Sequence, residues 1–301
     1  MPSVLNPPRW SLPTLESASG CFETLRAYHG RIFRLDGHLK RLYASAQYLG
    51  VRMPETPQQL GRRLTNALAA SGIREAIVRV ALIPTTCLGS LKANRLLAEE
   101  ASPSATQTGG GMIPGANRLA SPSIVVQPVH PPAPALYRRG IRVAIVPTRR
   151  FPVSQIDPQA KFSARLGSVL ATIEAQLRDA DEAIFMDALG GVTESTASNL
   201  GIIAGGVFCA PPCWLGLLAG ITWQALAEVA QTLGIAYREV PLTRHELYNA
   251  DEAFVASTTK EILPVTVIDG RRIGTGKPGP YTKRLHRAFR QLVRRELRTK
   301  L

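Results

Sequence analysis

The 301-residue sequence has few of the features that mark secreted, metal-binding or membrane proteins. Its four cysteines (Cys21, Cys87, Cys209 and Cys213) are too scattered for a disulfide scaffold. A zinc site at Cys209 and Cys213 is not expected either, because the sequence near them has no histidines and no second pair of cysteines. No run of about 18 apolar residues is present, and the first residues lack the apolar region and cleavage pattern of a signal peptide. We therefore expect reduced thiols, no metal, no membrane partner and a cytoplasmic location.

Acidic residues are also scarce, since 36 lysines and arginines outnumber 22 aspartates and glutamates and give a net charge of +14. Such an excess suggests an anionic partner such as nucleic acid. The charge is spread along the chain, however, and its densest stretch, residues 283–300, has apolar residues at helical spacing. These are Leu285, Phe289, Leu292, Val293 and Leu297. The pattern predicts a terminal amphipathic helix, so a basic nucleic-acid-binding module is only the non-enzyme alternative, and we expect no nucleic-acid partner.

The order of elements predicts the fold class. Strand and helix patterns are mixed without the regular alternation of a doubly wound sheet, which favours an α+β fold. The proline-rich residues 130–140 predict an interdomain linker between a domain of residues 1–129 and a domain of residues 141–301. Residues 92–123 are rich in Gly, Ser, Ala and Pro, which predicts a loop.

Lysine is far rarer than arginine, with seven lysines against 29 arginines, and Lys161 is the only lysine between Lys92 and Lys260. An amine that loses its proton can form a Schiff base with a carbonyl such as that of pyridoxal phosphate, whereas arginine stays protonated. Lys161 stands just ahead of a helical pattern, so the simpler interpretation is a solvated lysine near a helix N-terminus. The neighbouring residues must decide between the two.

Pyridoxal phosphate needs groups that hold its phosphate, and three segments offer them. The residues concerned are Gly220, Ile221 and Thr222 at the start of a helix, Ser257, Thr258 and Thr259 at the end of a strand, and Arg41 on a helix. Free N–H groups at a helix N-terminus, hydroxyls and a guanidinium all suit an anion. The alternatives are a plain N-cap at Thr222, a capping box from Thr258 to Glu261, and a solvated helix face for Arg41.

The cofactor also needs a carboxylate beside its ring nitrogen. Glu194 follows a hairpin turn predicted at Gly190 and Gly191, and such a carboxylate raises the pKa of the nitrogen that it faces. The simpler interpretation is a surface glutamate at a strand end.

Taken together, the segments "GCFETLRAYHGRIFRLDGHLKRLYASA", "AKFSARLGSVLATIEA", "DEAIFMDALGGVTESTASNLGI", "LAGIT" and "ADEAFVASTTKEILPV" resemble the class IV aminotransferases, the fold type IV pyridoxal phosphate enzymes. The resemblance implies Lys161 as the Schiff-base lysine and Glu194 as the partner of the ring nitrogen. It implies that the phosphate is held by Arg41, Gly220, Ile221, Thr222, Ser257 and Thr258, with Leu218 against the ring. It places Arg79, Phe22 and Thr259 near the substrate.

The resemblance also implies a fold and an activity. The fold is a small α/β N-terminal domain and a larger C-terminal domain with a barrel-like sheet, assembled as a homodimer or higher homo-oligomer. The activity is transamination of a branched-chain or other hydrophobic L-amino acid with 2-oxoglutarate. Two alternatives stay open, a D-amino acid or amine transaminase and an aminodeoxychorismate lyase. The segment from Lys161 to Leu170 resembles lyases, although Ala164 replaces their usual asparagine.

Overall fold

A computed structural model describes residues 20–84 and 120–298. Within the described residues, the N-terminal part is an antiparallel sheet in the order β2-β1-β3-β4 with two helices. Its elements are β1 (Cys21–Tyr28), β2 (Arg31–Ile32), α1 (Leu35–Tyr48), α2 (Pro57–Ser71), β3 (Ala76–Pro84) and β4 (Ala120–Pro128). Of the loop predicted over residues 92–123, residues 92–119 lie outside the described residues. Residues 120–123 belong to β4 instead, because they pair with the end of β3.

The local sequence explains these helices and strands. Alternate residues of β1 are buried, which turns Leu25 towards the core that it shares with Leu42 and Leu64 of the two helices. Helix α2 begins with a capping box in which Thr56 and Gln59 bind each other's backbone N–H groups, and it ends at Gly72 with φ of 66°.

The C-terminal part is a larger mixed sheet. Its elements are β5 (Ile141–Ile145), α4 (Leu166–Gln176), β6 (Glu182–Met186), β7 (Val192–Ser195), β8 (Asn199–Ala204), β9 (Val207–Ala210), α5 (Ile221–Thr232), β10 (Tyr237–Glu239), α6 (Arg244–Tyr248), β11 (Glu252–Ser257), β12 (Glu261–Ile268), β13 (Arg271–Arg272) and α7 (Pro280–Arg298), preceded by α3 (Pro134–Arg139). Among the described residues the sheet has nine strands, in the order β10-β9-β8-β11-β12-β5-β6-β7, with β13 beside β12. Strands β5 and β6 are parallel and are connected through α4.

This larger sheet is apolar on both faces, and the two faces pack differently. One face contributes Phe254 to a core with Leu226 of α5 and Phe289 of α7. The other contributes Val255 and Leu263 to a second core, which the curled strands share with the short helices α3 and α6. The expected α+β fold with a barrel-like sheet is therefore confirmed.

The segment expected to be a linker contains a short helix, α3. Its Tyr137 donates a hydrogen bond to the carbonyl of Lys260 at 2.8 Å and stacks on His286, with 5.2 Å between ring centroids. The C-terminal side of the linker thus packs on the larger sheet. The division into domains at residues 130–140 stays a prediction.

Strand β5 ends at Ile145, since Pro147 has no N–H group to continue the ladder. One predicted boundary was wrong. The helix after Lys161 begins only at Leu166, so Lys161 lies in the preceding loop and not at a helix N-terminus.

The terminal amphipathic helix is confirmed as α7, which buries Leu285 and Phe289. Across residues 20–84 and 120–298, no helix is long and apolar enough to cross a membrane.

A buried carboxylate, Glu261, joins the two sheets and the terminal helix. It accepts from Tyr28 and pairs with Arg26 of β1 at 3.2 Å, His286 at 2.8 Å and Arg290 at 2.7 Å. Burial raises the pKa of this carboxyl, but His286, Arg26 and Arg290 outweigh it and lower the pKa to about 2. The capping box predicted from Thr258 to Glu261 is therefore wrong, because Glu261 begins β12 with φ of 55°.

Replacing Glu261 with alanine should destabilise the protein by about 3–5 kcal/mol, because it leaves the buried guanidinium of Arg26 without its carboxylate. Glu75→Ala, which removes the exposed contacts of this carboxylate with His29, is the matched control and should cost about 1 kcal/mol or less. Urea unfolding at pH 7 measures both free energies. Equal losses in the two variants would contradict this account of Glu261.

Candidate active site

Lys161 lies where the loop after β5 crosses the N-terminal sheet. Its carbonyl accepts from the N–H of Phe22 at 3.1 Å, and its own N–H donates to the hydroxyl of Ser45 on α1 at 2.9 Å. The N–H of Ser163 donates to the carbonyl of Gly20 at 2.8 Å. These bonds fix the backbone on both sides of Lys161, so the direction of its side chain is set by both parts of the chain.

The surroundings of the Lys161 amine favour its neutral form. Burial, with the nearby charges of Arg41 and Arg165, lowers its pKa, while Glu23 and Glu194 oppose them; the result is a pKa of about 8 in place of 10.5. A neutral amine is the form that attacks a carbonyl. The partly buried position of Lys161 and its lowered pKa do not fit an ordinary solvated lysine.

Arg41 is held by a buried glutamate rather than exposed on a helix face. Its Nε and Nη2 donate to the Glu23 carboxylate at 2.6 and 3.0 Å, and its Nη1 donates to the carbonyl of Ala219 at 2.6 Å. His38 lies 2.9 Å from the same carboxylate. Burial raises the pKa of Glu23, but Arg41 and His38 outweigh it, so the net pKa is lowered and Glu23 stays ionised. Arg41 is thus placed beside the start of α5.

The N-terminus of α5 is built to receive an anion. Gly220 is its N-cap, and within the described residues no side chain caps the helix, so Thr222 is not the N-cap. A Cβ on Gly220 would lie 2.1 Å from Oδ1 of Asn199, so the close approach requires glycine here. The N–H groups of Ile221 and Thr222 lie in this first turn, where the helix dipole adds to their attraction for an anion.

Glu194 is buried on β7, not exposed at a strand end, and its carboxylate is oriented from two sides. Arg150 lies 2.7 Å from Oε1, and the N–H of Leu218 donates to Oε2 at 3.1 Å. The side-chain amide of Asn199 donates to the carbonyl of Leu218 at 2.8 Å. Glu194, Leu218 and the start of α5 therefore belong to one connected group.

The three hydroxyl residues lie where β11 ends and a turn begins. Ala256, the residue before Ser257, pairs with Asn199 across the sheet, which brings the turn next to the start of α5. The Ser257 and Thr259 hydroxyls are 3.4 Å apart, Arg26 donates to the Thr259 carbonyl at 3.4 Å, and Thr258 lies between them.

The following residue, Lys260, anchors this turn to the larger sheet. Its amine lies 2.5 Å from the buried carboxylate of Glu182 and 3.2 Å from the hydroxyl of Ser198. The C-terminal end of the turn at residues 258–260 is therefore fixed by Lys260 and by Glu261, which follows it.

The ring of Phe22 lies close to three basic side chains, one of which is Lys161. The Lys161 amine lies 5.1 Å from the ring centroid, and the guanidinium carbons of Arg79 and Arg165 each lie 5.9 Å from it. Burial lowers the pKa of both Arg79 and Arg165. This apolar ring with cations around it can receive a carboxylate that carries an apolar side chain.

Comparison with known proteins places this geometry in a family. Residues 20–268 match the family model described as amino-transferase class IV. The chain belongs to the class IV aminotransferases. It is an aminotransferase, and its cofactor is pyridoxal phosphate.

Individual relatives agree with the family match. The branched-chain-amino-acid aminotransferase of Pseudomonas aeruginosa is 31% identical over 93% of this chain and 86% of its own length. The D-alanine aminotransferase of Bacillus licheniformis is 30% identical over 91% of this chain and 87% of its own.

Solved structures agree as well. The Thermoproteus uzoniensis branched-chain aminotransferase with norvaline has a TM-score of 0.77 at 32% identity, and the match covers 93% of this chain and 89% of its own. The Thermobaculum terrenum branched-chain amino acid aminotransferase in its PLP form has a TM-score of 0.78 at 25% identity, and the match covers 92% of this chain and 86% of its own.

The residues present fit this cofactor. The uncapped start of α5 beside Arg41 suits a phosphate dianion, and Glu194, paired with Arg150, suits a pyridinium nitrogen. The amine of Lys161, with its lowered pKa, suits the aldehyde. In the described part of the chain, no group of His, Cys, Asp and Glu side chains is arranged to hold a metal ion.

Sequence reasoning missed the charged residues that hold this site together, namely Glu23, His38, Arg150 and Lys260. Glu23 had a detectable signal, because in the strand "CFETLRAY" it shares a face with Cys21, Leu25 and Ala27. A carboxylate on an otherwise apolar face indicates a buried pair. Arg150 gives no local signal, because its partner Glu194 is distant in the sequence and lies on another strand.

The lowered pKa of Lys161 predicts the pH dependence of cofactor binding. Below pH 8 most of the amine is protonated and cannot attack the aldehyde, so the rate at which cofactor-free protein combines with pyridoxal phosphate should rise with pH and level off above about 8. Stopped-flow absorbance between about pH 6 and 9.5 measures this rate. Lys161→Ala should abolish the reaction, and Lys277→Ala, at an exposed position, should leave it unchanged. A rate that still climbs at the upper end of this range would show an ordinary lysine.

Proposed function

We propose that this enzyme transfers the amino group of a branched-chain or other hydrophobic L-amino acid to 2-oxoglutarate. The observation that carries the proposal is the amine of Lys161, whose pKa is lowered to about 8 beside the apolar ring of Phe22 and the cation Arg79. The names of the Pseudomonas aeruginosa and Thermoproteus uzoniensis relatives support the branched-chain substrate.

In this proposal the described residues divide the binding of the cofactor among them. Arg41, the N–H groups of Ile221 and Thr222 after Gly220, and the hydroxyl turn at Ser257 and Thr258 hold the phosphate. Leu218 would lie against the ring, because its N–H binds the carboxylate of Glu194, the residue assigned to the ring nitrogen. Bound pyridoxal phosphate supplies an aldehyde that links to amines and a ring that withdraws electrons from the substrate's Cα.

Lys161 carries the proton transfers. Its amine would hold the cofactor's aldehyde carbon, and, once free, the same amine would take the proton from the substrate's Cα as a general base. Glu194 keeps the ring nitrogen protonated, and Arg150 holds the Glu194 carboxylate in place. The carboxylate of the substrate binds near Arg79 and Thr259, with its side chain against Phe22.

We also propose a homodimer that uses the outer face of α4. This helix packs on the sheet through the small residues Ala171 and Ala175, while a stripe of large apolar side chains is exposed on its other side. The stripe consists of Leu166, Val169, Leu170, Ile173 and Leu177. Because α4 begins shortly after Lys161 in the chain, a second copy seated there would border the active site. We further propose a cytoplasmic location.

A substrate panel tests the proposed reaction. Purified enzyme with pyridoxal phosphate should form glutamate from 2-oxoglutarate when given L-leucine, L-isoleucine or L-valine, and Lys161→Ala should lose at least about 10³-fold in kcat. Coupled glutamate detection measures the rate. Lys277→Ala is the matched control and should keep wild-type activity.

The panel also separates the alternatives. The D-alanine aminotransferase of Bacillus licheniformis at 30% identity makes D-alanine the second candidate donor, and a preference for it would replace the L-substrate. Release of pyruvate from aminodeoxychorismate without an acceptor would identify a lyase. If no amino acid supports glutamate formation, the transamination proposal is wrong.

Sedimentation velocity tests the dimer. We expect wild-type protein to sediment as a dimer and the variant Leu170→Asp with Ile173→Asp to sediment as a monomer, because two charges cannot be buried in an apolar interface. The charge-matched control is Gln58→Asp with Asn66→Asp, two exposed positions on α2, and it should stay dimeric. A monomeric wild type would contradict the proposed interface.

A further inference from the structure

A basic hollow lies beside β5, apart from the residues assigned to the cofactor. Its volume is about 580 Å³, which is within the usual range for small-molecule sites. Four arginines line it, Arg142, Arg149, Arg178 and Arg244, and they come from three separate segments of the chain. Convergence of four guanidiniums on one hollow concentrates positive charge there beyond the general basic character of the protein.

Backbone carbonyls hold three of these guanidiniums in place. Arg178 donates to the carbonyl of Ile145 at 2.7 Å, and Arg142 donates from Nε to the carbonyl of Asp179 at 3.2 Å. Arg149 donates to the Val146 and Pro147 carbonyls at 2.7 and 3.0 Å. Since a guanidinium has five N–H donors, each arginine keeps at least three for another partner. Their positions are thus set before any ligand arrives, which lowers the entropic cost of binding.

Protein carboxylates do not neutralise these arginines. Within the described residues, none of the four has a carboxylate at ion-pair distance, although other arginines such as Arg41 and Arg150 do. The one acid that lines the hollow, Asp269, has both oxygens engaged: Oδ1 accepts from the N–H of Ile145 at 2.8 Å and Oδ2 from the hydroxyl of Tyr248 at 2.7 Å. The hollow therefore has several organised donors and no carboxylate paired with them.

We propose that this hollow is a second anion-binding site, which takes a small phosphate-bearing molecule with at least two negative charges. Guanidiniums bind phosphate oxygens through paired, charge-assisted hydrogen bonds, and several of them match a polyvalent phosphoryl group better than a single carboxylate. The segment at residues 146–150 lines the hollow with Arg149 and holds Glu194 with Arg150. A bound anion would thus lie next to the loop that orients Glu194 of the active site. A ligand in this position would be placed to regulate the enzyme.

Calorimetric titration of the cofactor-loaded enzyme with pyrophosphate at about 0.15 M salt tests the site, since the cofactor then fills the phosphate site at α5. Wild-type enzyme should bind one pyrophosphate per chain, and the double variant Arg142→Gln with Arg178→Gln should bind at least about 100-fold more weakly. The charge-matched control is Arg287→Gln with Arg294→Gln on α7, which does not line the hollow, and it should bind within about twofold of wild type.

Arg244→Gln provides a second variant if the double variant fails to fold, because within the described residues its side chain makes no hydrogen bond or ion pair. It should weaken binding about 10-fold. Equal weakening in the α7 control would mean general attraction to a basic surface, and tighter binding of citrate than of pyrophosphate would exclude a phosphate site. Either result, or no binding to wild type, overturns the inference. Transaminase activity of the same samples, measured separately, reports on the proposed reaction and not on this site.

Discussion

The amine of Lys161 must lose its proton in order to react, although arginines lie close to it. Burial removes water from the ammonium form of Lys161, and the positive charges of Arg41 and Arg165 oppose it further, so its pKa is lowered to about 8. An ammonium group would be inert towards a carbonyl, and an arginine at this position would stay charged at any physiological pH. The backbone bonds from Phe22 and Ser45 make this placement possible, because they hold the loop against the N-terminal sheet.

The arginines around the site are themselves balanced by buried carboxylates. Glu23 pairs with Arg41 and Glu194 pairs with Arg150, so each guanidinium is held in one orientation. Removing either carboxylate would leave a partly buried guanidinium uncompensated, which is costly. Glu261 has the same function between the sheets, where it compensates Arg26 and fixes the hydroxyl turn that precedes it. Although the chain has a high net positive charge, the guanidiniums of Arg41, Arg150 and Arg26 are therefore each paired with a carboxylate.

Much of this arrangement could be predicted from local sequence. The hairpin turn at Gly190 and Gly191, the strand that ends at Ser257 and the amphipathic face of α7 all follow from short-range patterns. The fold type and cofactor followed from the order of several motifs, none of which was specific alone.

The remaining features depend on contacts between distant residues. Lys161 was expected at a helix start, because the apolar pattern of α4 begins close to it, yet the bridge between Cys21 and Phe162 keeps this segment extended. The pair of Arg150 and Glu194 and the ion pair of Lys260 with Glu182 join segments whose proximity no local pattern reveals. The basic hollow likewise appears only when four distant segments are brought together.

The most direct measurement is the identity of the lysine that carries the cofactor. Borohydride reduction of the cofactor-loaded enzyme, followed by protease digestion and mass spectrometry, locates the phosphopyridoxyl group on the chain. One label per chain is expected, on Lys161, since its amine is the one whose pKa burial and neighbouring cations lower. A label on Lys260 or another lysine, or a label spread over several lysines, would contradict this expectation.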